Sequence, residues 1–71
     1  MREQHPQPAL HLENRWRGIW AIRFSRRGSL DALVAQMRII DGYRGSNWPQ
    51  RITDDAGRVL VQNDAARLLN G

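Results

Sequence analysis

The absence of cysteine from a chain of 71 residues leaves its fold to side-chain packing alone. A domain this small removes only about 60% of its unfolded surface from water, and neither disulfides nor thiolate zinc sites can compensate. The remaining supports are a well-packed aromatic core and self-association. Three tryptophans in so short a sequence suit either. The length allows one domain.

Residues 14–27 read NRWRGIWAIRFSRR, with five arginines, three aromatics and no acidic residue, a charge of +5. Elsewhere six arginines face seven acids, so the whole +4 surplus of the chain sits in this segment. All eleven basic residues are arginine. A GC-rich genome produces that bias, and so does selection for forked, planar donors that grip phosphate or carboxylate.

Partial alternation across 15–25 predicts a single strand. Trp16, Gly18, Trp20, Ile22 and Phe24 share one face; Arg15, Arg17, Ile19, Ala21, Arg23 and Ser25 share the other. The even face, with four large apolar groups, is the expected core. The odd face displays three arginines, and Arg26 and Arg27 continue the charge at the strand's end.

Residues 1–12 are polar, carry Pro6 and Pro8, and show no sustained period, so they read as a flexible arm. Residues 13–71 form the domain. After Arg26-Arg27-Gly28 turns the chain, Ser29 is suited to cap a helix over 30–41, with Gly42 as its stop. Leu30, Leu33, Val34, Met37 and Ile40 make its buried stripe. Ala32, Ala35 and Ile39 cluster opposite, where a surface helix is normally polar. That back predicts cover by the C-terminal segment or by a second copy, and a homodimer is the expectation.

Trp48-Pro49 favours extended backbone and opens a hairpin through Ile52-Thr53 and Val59-Leu60-Val61, turning at Asp54-Asp55-Ala56-Gly57. The register pairing Thr53 with Arg58 buries more apolar surface than a three-residue loop pairing Ile52 with Leu60, and is preferred. A short helix follows, capped by Asn63 or Asp64. The expected architecture is a small α+β domain of order β-α-β-β-(α). Its three-stranded, mainly antiparallel sheet carries one helix on its aromatic face. This element order is common to many unrelated small domains and carries no function of its own.

Catalysis finds little support. His5 and His11 fall in the arm, where a base is poorly held, and turn chemistry explains Asp54 and Asp55. His5, His11 and Glu13 match no closed metal site, and no phosphate-binding glycine loop follows a strand. The expectation is a non-enzymatic protein without metal or cofactor.

The arginine strand is the main candidate. Arg15, Arg17, Arg23, Arg26 and Arg27 can track a phosphate backbone, extended by Arg44, Arg51 and Arg58. Core-facing aromatics would leave few rings for base stacking. The expected partner is therefore an anionic macromolecule, a nucleic acid or a nucleoprotein. The alternative is an inhibitor or adaptor of the kind mobile elements and phages carry. It would dock on a host protein through Tyr43, Arg44 and Trp48 of the 43–48 loop and through Ile39 on the helix. No run of about 18 apolar residues exists, and the first residues lack the apolar stretch of a signal peptide, so the sequence-based expectation is a soluble, cytoplasmic protein with no membrane partner.

Overall fold

Two consecutive positive φ angles, 53° at Arg17 and 80° at Gly18, divide the arginine-rich segment into two strands. Positive φ at both central residues is the signature of the tight turn whose twist matches a hairpin, and glycine adopts it without a Cβ clash. The computed structural model describes residues 8–45 and 47–70. Their order is β1 (Ala9–Trp16), β2 (Ile19–Arg27), α1 (Leu30–Arg44), β3 (Gln50–Asp54), β4 (Val59–Gln62) and α2 (Asp64–Asn70). All four strands form one antiparallel sheet in the order β2-β1-β3-β4.

The α+β class is as expected, but the sheet has four strands rather than three. The strand that was not anticipated, β1, begins inside the proposed arm at Ala9 and is central. The arm's residues 1–7, including His5 and Pro6, lie outside the described residues.

The core is aliphatic, which corrects the expected aromatic face. Leu10 and Leu12 of β1 and Ile52 of β3 meet Leu33, Met37 and Ile40 of α1, with Val34, Trp48 and Val61 packed around them. Trp16 and Phe24 are exposed, and Trp20 is only half-buried. The cause is a bulge. Leu12 pairs with Phe24 but Glu13 pairs with Ile22, so Arg23 is an extra residue that reverses the alternation of β2. Trp20 and Ile22 therefore face away from α1, while Phe24 and Arg26 face towards it. The five arginines cannot share one face.

The helix overruns Gly42 and ends at Gly45, where φ is 94° and the amide donates to the Asp41 carbonyl at 3.0 Å. Ser29 occupies the cap position without a side-chain cap hydrogen bond. The expected stripe is buried at Leu33, Met37 and Ile40 and half-buried at Val34, but Leu30 at its start is exposed. α2 packs on β3, and Ile39 on the outer side of α1 stays 58% exposed.

The second hairpin has the three-residue loop rather than the preferred pairing of Thr53 with Arg58, but a bulge displaces the pairing of Ile52 with Leu60 that such a loop predicts. The loop has three residues, 55–57, with Gly57 left-handed at φ 81°, and Asp54 N–H donates to the Arg58 carbonyl at 3.1 Å. Thr53 pairs with Val59, and a second bulge at Leu60 then brings Val61 opposite Ile52. Val61 rather than Leu60 thereby reaches the core.

A buried amide network ties the sheet to both helices. Asn63 Oδ1 accepts from the amides of Gln50 and Ala66, each at 3.0 Å, which caps α2 as expected. Its Nδ2 donates to Trp48 O at 2.8 Å and to Asp41 Oδ1 at 3.1 Å. No described residue has a buried side-chain polar atom without a partner.

Candidate functional site: an arginine–aromatic groove

Because α1 lies over β1 and β3, the space between the helix and the edge strand β2 stays open. It forms three clefts of about 150, 230 and 320 Å³. The first lies among Trp16, Arg23, Arg44 and Trp48. The second shares those two arginines and Trp48, and adds Tyr43 and Phe24 among its walls. The third continues past Phe24 to Arg26 and Gln36. Among the described residues no aspartate or glutamate lines any of the three.

The bulge delivers Arg23 to this groove, and the final turn of α1 delivers Tyr43 and Arg44. Trp48 is held firmly, since its indole Nε1 donates to Arg15 O at 2.9 Å. The Arg44 guanidinium covers its ring at 4.6 Å from the centroid, within the range of a cation–π contact. Trp16 and Tyr43 are open to solvent, at 58% and 69% exposure. Two arginines and several rings, with no carboxylate among the described lining residues, can hold an anion beside a flat aromatic ligand.

The two sets of residues expected from sequence thus converge in part. Arg23 joins Arg44, Tyr43 and Trp48, and Arg26 lies at the far end. Tyr43 and Arg44 belong to α1, so the connection after it starts at Gly45 rather than at Tyr43. Arg17 sits at the hairpin tip, 5.7 Å from the Trp16 ring centroid. Arg15 is on the opposite face, where it and Arg51 flank Trp20 at 5.7 and 4.1 Å. Arg51 also pairs with Glu13 at 3.0 Å. Arg27, at the end of β2, pairs with Ala9 and by alternation lies opposite Arg26. Ile39 is outside the groove.

Sequence reasoning placed Trp16 and Phe24 in the core and so missed them as groove walls. Gly18, isolated inside the strand pattern, was the available signal that the strand is interrupted there. Nothing comparable marks the bulge at Arg23.

On the opposite face, His11 belongs to β1 rather than to a loose arm. Its Nδ1 lies 2.8 Å from Ser25 Oγ and its Nε2 2.8 Å from Asp55 Oδ1. These are the residue types of a hydrolytic triad. Ser25 and Asp55 are exposed, and the two contacts tie β2 and the second hairpin to β1. Glu13 is engaged by Arg51 and Thr53 and does not converge with His11. Among the described residues no group of three metal-ligating side chains gathers, and no helix is long and apolar enough to cross a membrane.

One carboxylate is clearly perturbed. The backbone N–H of Arg58 holds Asp54 below its ordinary value of 3.8, against the opposing effect of burial, with help from the Arg58 guanidinium and the Ala56 amide. Asp54 thereby locks the second hairpin. Comparisons with known protein families, curated proteins and solved structures find no match for this chain.

Proposed function

We propose that the protein is a small non-enzymatic binding module that engages nucleic acid, free or within a nucleoprotein, through the groove between β2 and α1. The observation carrying this reading is the lining, free of acids among the described residues, that brings Arg23 and Arg44 together with exposed Trp16 and Tyr43. Arginine supplies the phosphate contacts, and Arg17 and Arg26 extend them at either end. Arg15 and Arg27 lie on the other face and have no role in the groove.

A second reading rests on Tyr43 and Ile39, both exposed on α1, which suit docking on a host protein. Salt separates the two. If about four phosphates are neutralised, binding to an oligonucleotide weakens with a log–log slope of roughly −3. A protein interface centred on aromatic residues tolerates salt better. Capture from lysate with and without nuclease, followed by titration across salt concentrations, tests the proposal. Nuclease-sensitive capture and the steep slope support it. A partner that survives nuclease, together with no measurable oligonucleotide binding, overturns it in favour of the second reading.

A further inference from the structure

The three clefts are joined end to end by shared walls: Arg23, Arg44 and Trp48 belong to two of them, and so does Phe24. The groove runs from Trp16 at one end to Arg26 at the other; Arg26 pairs with Leu10, six residues from Trp16 along β1, so the span is roughly 20 Å at the rise of a strand. That length suits about four nucleotides, the low end of what a single-strand-binding groove covers.

Its lining bears on which form of nucleic acid enters. A duplex offers phosphates but keeps its base faces stacked inside, so aromatic walls add nothing to duplex binding. Unpaired bases stack on rings and on guanidinium planes. Here Trp16 and Tyr43 stand open to water beside Arg23, and Arg44 lies over Trp48 where both line the groove. Exposed rings grouped beside arginines that meet no carboxylate among the described residues mark a binding surface, since soluble monomers rarely leave large apolar patches uncovered.

We infer that the groove takes a single strand, an inference that rests on the nucleic-acid reading above. Trp16 and Tyr43 stack on unpaired bases. Arg23 and Arg44 hold the phosphates between them. Arg26, with Gln36 beside it, receives the strand at the far end. The Trp48–Arg44 pair is a fixed platform because the indole nitrogen is already engaged by Arg15 O.

The test titrates the full chain against four labelled probes: a single-stranded DNA of about 12 nucleotides, the RNA of the same sequence, the matching duplex, and a glutamate-rich peptide of equal charge. One or both single strands are expected to bind about tenfold or more tighter than the duplex and the peptide. Trp16→Ala and Tyr43→Ala should each weaken single-strand binding about tenfold while leaving the salt slope unchanged. Both positions are exposed, and an unchanged melting curve shows that each variant remains folded. Equal or tighter binding of the duplex, or no effect of either ring removal, overturns the single-strand inference and leaves the nucleic-acid reading standing. Tighter binding of the peptide, or no binding to any nucleic acid, overturns both.

Discussion

Gln50 is fully buried, and every polar atom of its side-chain amide is used. Nε2 donates to Met37 O at 3.0 Å and to Asp41 Oδ1 at 2.7 Å, while Oε1 accepts from Asn14 Nδ2 at 3.1 Å. Gln50→Leu keeps the volume but orphans the amide of Asn14, itself buried. An unsatisfied buried polar group costs about 1–3 kcal/mol, and three partners are lost together, of which Asp41 keeps the Asn63 amide, so the variant should be destabilised by about 2–4 kcal/mol. Urea unfolding measures this; a change below about 0.5 kcal/mol would show the network to be incidental. Asp54 makes stability depend on pH. Its folded value is depressed, so its stabilisation is present above the unfolded value of 3.8 and disappears as pH falls through the lower folded value. Asp54→Asn should therefore cost stability near about pH 6, and the gap from wild type should close as acid protonates Asp54. A gap constant across that range contradicts the assignment.

The elements repeat a lesson about glycine. In the 15-residue helix α1, a Cβ added at Gly42 would meet nothing within 4 Å, whereas Gly45 takes a φ of 94°. Gly42→Ala should stabilise by about 0.5–1 kcal/mol through reduced freedom of the unfolded chain. Gly45→Ala should destabilise by at least that amount, since its conformation suits glycine. At the β1–β2 turn, Arg17→Asn should stabilise by a few tenths of a kcal/mol, because asparagine tolerates positive φ and Asn-Gly favours this turn. Thermal melts rank these variants, and the reverse order for the two glycines would contradict the helix boundary. The stripe of α1, the second turn and the Asn63 cap were legible because each depends on local chemistry. The hairpin split at Arg17-Gly18 was written in the sequence but masked by alternation running across it. The bulges at Arg23 and Leu60 were not legible, since a bulge is a property of two strands in register. With Arg23 went the facing of Trp20, Phe24 and the arginines, and hence most of the groove.

Across the whole molecule, apolar groups remain outside the core on several sides. Leu68 on α2 is 80% exposed, and Ile39 and Ile19 are also open. Edge strand β2 is nine residues long and contains no proline, a form that natural sheets usually protect. Its arginines supply some of that protection. Self-association through the outer side of α1 is expected, and Ile39→Glu should then halve the mass seen by light scattering. A wild-type monomer would contradict it. The groove itself is tested most directly by the three tryptophans, since Trp16 and Trp48 line it while Trp20 lies between Arg15 and Arg51 on the opposite face. Their indole N–H resonances can be followed as a short single-stranded oligonucleotide is added. Saturable shifts of Trp16 and Trp48, with Trp20 unmoved, are the predicted result. Movement of Trp20 alone, or of none of the three, would contradict the assignment of the groove as the binding site.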